Sequence, residues 1–223
     1  MKNSKNKPKR ELQSRVWFLG HGFHPVPSTE YIDFKILYAH ESDLRFVNKY
    51  GQVVSQTFNP ATRDPKKNHG HAVPKMRSYG NRKCHILRAL AFYGERKVFV
   101  DEKTGTSYVG QCHHLNANLE DHRKDNLLAW LSRPEHRIAD TRQKAIKEVV
   151  PDGNLNGFDY AILRELQDPR TMSDIGFETH MQYLRVLREC GFDPRIFTAS
   201  NLHEFFAQPF EEFKTAMYHH KDV

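Results

Sequence analysis

Within the stretch "GQCHHLNANLEDHRKDNLLAW", residues 110 to 130, adjacent His113 and His114 precede a polar loop holding His122, Asp121 and Asn126, after which the chain returns abruptly to apolar residues. Imidazole is the side chain best suited to exchange a proton near neutral pH, and its neutral form is also a ligand for borderline divalent ions. Alternation along "SYVGQCHH" puts His113 and His114 on opposite faces of a strand. One could therefore ligate a cation while its neighbour takes a proton from water. His136 and Asp140 lie four residues apart, one turn of a helix, so they share a face. His113, His136 and Asp140 could meet around one ion if the strand packs against that helix. The competing reading is a polar surface loop that happens to be rich in histidine. Cys112 touches the stretch but has no second cysteine nearby, so it reads as a small buried apolar residue rather than a zinc ligand. His122 reads as a solvated loop histidine, and His85 as a structural contact on a helix. His21/His24 and His69/His71 have ligand-like spacing without partners and read as surface.

The elements that must position these residues follow from pattern. "KVFVDEKTGTSYVGQCHHL" predicts two strands around the turn "DEKTG". Ser132, with Glu135 three residues on and Pro134 in the first turn, marks the start of a helix through "RPEHRIADTRQKAIKEVV". Trp130 reads as core. Upstream, "DLRFVNKYGQVVSQTF" predicts a strand pair turning at Tyr50-Gly51, and "KCHILRALAFYG" a short core helix stopped by Gly94. "PDGNLNG" at 151 to 157 reads as a hinge. Amphipathic helical patterns follow it, with Phe177, Met181, Leu184 and Leu187 as one stripe.

The chain has 223 residues, a formal net charge of +7 and a pI near 9.3. Such a balance points to an anionic partner, of which nucleic acid is the commonest. Residues 151 to 223 hold 12 Asp/Glu against 7 Lys/Arg, so the basic excess lies in the first 150. Residues 1 to about 12 read as a flexible basic arm. Lys66, Lys67, Lys75, Arg77, Arg82 and Lys83 form the candidate nucleic-acid-binding set, on a Pro/Gly/Asn-punctuated stretch. Three scattered cysteines without a CxxC pair argue against a disulfide framework and a zinc ribbon, which suits a reducing cytosol. With neither a leader nor an 18-residue apolar window, the expectation is a cytoplasmic protein with no membrane partner.

"CHHLNANLEDHRKDNLLAWLSRPEH" resembles the motif of the HNH endonucleases, the ββα-metal nucleases: a strand ending in a His pair, a polar loop, an Asn followed by Leu, then a helix with a ligand near its start. The likeness spans about residues 45 to 139 and extends to upstream segments common in phage and mobile-element members. It departs in two places. The step from Asn126 to His136 is one residue longer than usual, and the loop lacks the Asp-Gly and Asn-Asn pairs many members have. The resemblance implies an α+β fold: a ββα-metal core with a preceding β-rich segment over 13 to 150, then a small helical domain over 151 to 223. It implies His113 and His136 as metal ligands with Asp140 a third, His114 as general base, and Asn126 as the residue that holds the loop and orients that base. The implied activity is DNA phosphodiester hydrolysis with Mg²⁺, Mn²⁺, Zn²⁺ or Ni²⁺ in a bacterial or phage-infected cell. The alternatives are a catalytically inactive nucleic-acid-binding module, or a scaffold whose C-terminal helical part docks a protein partner.

Overall fold

The computed structural model describes residues 11–27, 37–54, 56–58, 72–74 and 84–221. Residues 1–10 of the expected basic arm and all six cations of the candidate nucleic-acid set, Lys66, Lys67, Lys75, Arg77, Arg82 and Lys83, lie outside the described residues. So do His69 and His71. The fold is mixed α+β, with small antiparallel sheets. It divides into two compact units, Met1–Glu95 and Arg96–Val223.

In the first unit, α1 (Arg15–Gly20) starts at Ser14, whose hydroxyl accepts from the Trp17 N–H. Strands β1 (Phe23–Pro25), β2 (Leu37–His40), β3 (Phe46–Asn48) and β4 (Val53–Val54) form an antiparallel sheet in chain order. The turn at Tyr50-Gly51 falls where it was expected, with Gly51 at φ +72, a region that penalises residues with a Cβ. Strands β5 (Gln56–Phe58) and β6 (Ala72–Pro74) pair as a separate ribbon. Helix α2 (Cys84–Tyr93) stops at Gly94 as the pattern requires. Its Arg88 is fully buried, lies over the Phe46 ring and donates to the carbonyls of His40 at 2.7 Å and Arg45 at 3.1 Å. A buried guanidinium so engaged ties the helix to the β2–β3 turn.

The second unit opens with the hairpin β7 (Val98–Val100) and β8 (Ser107–Val109), in which Phe99 stacks on Tyr108. A second hairpin follows from β9 (Gln111–His114) and β10 (Leu127–Leu131). All of β10 is buried, and its register shifts between Leu128 and Leu131, where Trp130 takes φ +57. This bulge brings the Trp130 backbone against Gly110: a Cβ on Gly110 would stand 3.0 Å from the Trp130 Cα. Helix α3 (Arg133–Val149) begins at Ser132 with the predicted capping box. Helices α4 (Tyr160–Gln167), α5 (Asp174–Glu189), α6 (Ala199–Phe206) and α7 (Phe210–Lys221) complete the unit. Among the described residues no helix is long and apolar enough to cross a membrane.

The domain boundary expected near 151 becomes a turn inside one core. Leu115, Leu128 and Leu131 of the second hairpin region share a cluster with Ile146 of α3, Leu155 of the turn, Leu163 of α4 and the α5 stripe Phe177, Met181, Leu184 and Leu187. Two strands and a helix have too little apolar surface to cover one another, so α4 to α7 supply the missing layer. A chain ending at residue 150 uncovers three fully buried leucines, each worth roughly 1.5–3 kcal/mol, against a total domain stability on the order of 5–15 kcal/mol. It is expected to lose its cooperative thermal transition by circular dichroism. Gly110→Ala in the full chain is expected to cost about 1–3 kcal/mol by urea titration, the usual range for overpacking.

Candidate metal centre

The second hairpin delivers its two histidines to different environments. His113 pairs across to Leu128 and its side chain, 4% exposed, faces α3. There its Nδ1 lies 3.2 Å from Asp140 Oδ1, while His136 Nδ1 lies 3.1 Å from Asp140 Oδ2. The two imidazoles meet edge to face, with centroids 5.3 Å apart. One donor atom from each of the three residues fits within a 4.8 Å span. Donors sharing an ion at ~2.1 Å bonds stand roughly 3.0–3.4 Å apart. The spacing therefore suits one divalent cation, and N₂O donation suits Zn²⁺, Ni²⁺ or Mn²⁺. Asp140 is half-exposed and His136 partly so, which leaves a side open to a further ligand.

Burial pushes the Asp140 carboxyl up, but the hydrogen bonds and charges of His113 and His136 outweigh it and hold the group well below the usual carboxylate range. A carboxylate between two imidazole nitrogens is satisfied by a proton on each facing nitrogen or by a metal ion among the three groups.

The environment of His113 extends to two residues that the sequence did not single out. Gln167, at the end of α4 and fully buried, places Oε1 2.8 Å from His113 Nε2. Gln143 on α3 donates its Nε2 to the carbonyls of His114 at 2.6 Å and Leu115 at 3.1 Å. Nothing in the local pattern distinguishes either glutamine from a solvated helix residue.

His114 lies apart from the trio. It pairs across to Leu127, is 5% exposed, and packs its ring 5.5 Å from that of His122. The prediction that one histidine of the pair faces away holds, yet both faces of the hairpin are covered. His122, expected to be solvated, is instead 1% exposed and donates from Nε2 to the Leu119 carbonyl at 2.6 Å. The loop folds back on itself because polar side chains replace the backbone ladder. Asn126 is its clamp: Oδ1 accepts from the Asn116 N–H at 2.8 Å and Nδ2 donates to the Asp121 carbonyl at 2.7 Å. Those bonds hold the loop; both lead to backbone rather than to the His114 ring. Cys112 is buried as expected, its thiol pushed up to about 12 by burial despite nearby Arg96 and Arg164. Trp130 is buried, also as expected.

Asp121 anchors the loop to α4. Arg123 donates to it from Nε at 2.8 Å and Nη2 at 2.6 Å, and the Tyr160 hydroxyl donates at 2.8 Å. Asn116 Nδ2 donates to the same carboxylate at 2.9 Å. A groove of about 590 Å³ runs along the start of α3, lined by Phe99, Tyr108, Arg133 and Arg137 together with Asp101 and Glu102. The Arg133 guanidinium lies over the Tyr108 ring.

Comparison with family models, curated proteins and solved structures finds no match to this chain.

The loop anchor predicts a pH signature. Burial raises the Asp121 carboxyl, but the bonds from Arg123 and Tyr160 prevail and lower it to about 2. A folded value below the unfolded value of about 3.9 stabilises above pH 4 to 5 and stops doing so as the pH falls towards 2. The contribution is about 2 kcal/mol near neutrality. Urea titrations should therefore show Asp121→Asn less stable than wild type at pH 7, with the gap closing steadily between pH 5 and pH 2.

Proposed function

We propose that this chain is a divalent-metal-dependent DNA endonuclease of the HNH type. The observation that carries the reading is the convergence of His113 from the hairpin with His136 and Asp140 from the capped helix on one ion-sized space. Those three residues would hold the cation, whose charge would offset that building on a phosphodiester as it is cleaved. Asn126 keeps the intervening loop closed, so the hairpin presents its imidazoles from a fixed backbone. Arg133 and Arg137, lining the groove at the start of the helix that carries His136, offer cations for a phosphate backbone. The net charge of +7 suits the same polyanion. His114 is the proposed base that takes a proton from water, which in such sites contributes about 10²- to 10⁴-fold.

One observation favours a second reading, an inactive nucleic-acid-binding module. His114 is buried beside His122 rather than beside Asp140.

A supercoiled-plasmid assay across Mg²⁺, Mn²⁺, Zn²⁺ and Ni²⁺ separates the two. The endonuclease reading expects ion-dependent nicking that falls about 10²- to 10⁴-fold in His114→Ala, with DNA binding retained. His136→Ala is expected to lose both nicking and calorimetric ion binding. Salt-sensitive binding without scission in any of the four ions would favour the inactive module.

A further inference from the structure

Residues 96 to 102 read "RKVFVDE", a pair of cations and a pair of carboxylates around an apolar middle. Turned end for end, the segment keeps that middle and exchanges the signs at its ends. A strand of this kind is complementary to an antiparallel copy of itself, because each cation falls opposite a carboxylate. Parallel pairing in register would set Lys97 beside another Lys97 and Asp101 beside another Asp101.

The middle of the segment is β7, which among the described residues has β8 on one side and no strand on the other. Val98 pairs with Val109, Phe99 with Tyr108 and Val100 with Ser107. At the ends of the ladder the Gly110 N–H donates to the Lys97 carbonyl at 2.8 Å, and the Asp101 N–H to the Thr106 carbonyl at 3.0 Å. Antiparallel hydrogen bonds come at alternate residues, so Lys97, Phe99 and Asp101 turn their peptide groups to β8. Val98 and Val100 turn theirs outward. Side chains alternate too, and Val98, Val100 and Val109 share one face, 67%, 60% and 47% exposed. Open peptide groups beside β-branched side chains make a template for a further strand. Charges ordinarily guard such an edge, yet guards of opposite sign at its two ends attract an antiparallel copy instead of repelling it.

We propose that the outer edge of β7 is a self-association surface, to which a second copy of this chain adds its own β7 antiparallel about a two-fold axis at Phe99. With Phe99 opposite Phe99 of the second copy, Val98 meets Val100. Each such pair exchanges both N–H···O bonds, since these are the residues whose peptide groups point outward. Lys97 then stands opposite Asp101 and Arg96 opposite Glu102, and symmetry repeats each contact. The Asp101 carboxylate is held at the strand end by the N–H groups of Lys103 and Thr104, at 3.1 and 3.0 Å. The two hairpins become one sheet, with the valines of both on one face. A contact of this extent is smaller than a standard interface, so the dimer exchanges with monomer as concentration changes. It stands independently of the metal centre.

The test uses the full chain without DNA or added metal. Sedimentation velocity is expected to show a monomer–dimer equilibrium in wild type. Val100→Pro removes an outward N–H and leaves the ladder to β8 intact, so it is expected to be monomeric with an unchanged circular dichroism spectrum. Lys97→Glu, at an exposed side chain, sets like charges opposite each other on both sides of the axis. It is expected to weaken association by at least about 2- to 30-fold, and Lys97→Arg to leave it unchanged. Residues opposite each other at a non-hydrogen-bonded position stand about 4.5 Å apart at Cα, within reach of a disulfide. Mild oxidation is therefore expected to link Phe99→Cys into a covalent dimer, but neither wild type nor Phe99→Cys/Val100→Pro. Wild type that remains monomeric at about millimolar concentration overturns the proposal. A dimer that Lys97→Glu leaves as strong as wild type overturns it even if Val100→Pro fails to fold. So does a Phe99→Cys chain that dimerises without forming the link.

Discussion

A two-stranded hairpin buried on both faces leaves peptide groups along its edges that neither strand can satisfy, and the second unit is organised around supplying their partners. Arg164 donates to the carbonyls of Asp125 and Leu127, Arg170 to that of Ala129, Gln143 to those of His114 and Leu115, and Gln167 again to Leu115. Every one of these donors lies on or after α3. Side chains take the place of further strands, and because each must arrive from a defined direction, the helices are held in register with the hairpin. Their apolar faces then close the core that runs from Leu115 to Met217.

The same constraint shapes the centre. Edge donors reach both strands, and those that serve the end of β9, Gln143 and Gln167, also surround the His113 imidazole. Asp140 stands between His113 and His136 where α3 crosses the hairpin, and the Ser132 cap sets the phase of that crossing. A half-exposed carboxylate between two nitrogens, one of them dry, is an arrangement whose stability depends on a cation or protons to share.

Much of this was legible because it is local. The capping box at Ser132 and Glu135 announces a helix start through backbone chemistry that needs no tertiary partner, and it placed His136 and Asp140 on one face correctly. Gly51 and Gly94 marked turns for the same reason. What the sequence hid is long-range. The "PDGNLNG" stretch has the composition of a linker, yet Leu155 within it is buried, and only the apolar needs of distant residues decide that. Helix α1 falls in the segment expected to be β-rich, because a run as short as "VWFLG" sets no helical period. His122 reads as a solvated residue of a charged loop, but that loop satisfies its own polar groups and can turn the ring inward. Gln143 and Gln167 illustrate the limit most clearly: a glutamine's role lies in what it meets, and its neighbours in sequence say nothing of that.

Cys112, one residue before His113, has a consequence for which ions this region can hold. Sulfur binds soft metals as thiolate, and a thiol whose burial pushes its ionisation up to about 12 stays protonated throughout the physiological range. The alternation of β9 also turns it to the strand face opposite His113. This thiol is thus withheld from competition by its surroundings, and oxidants meet a sealed sulfur rather than a reactive one.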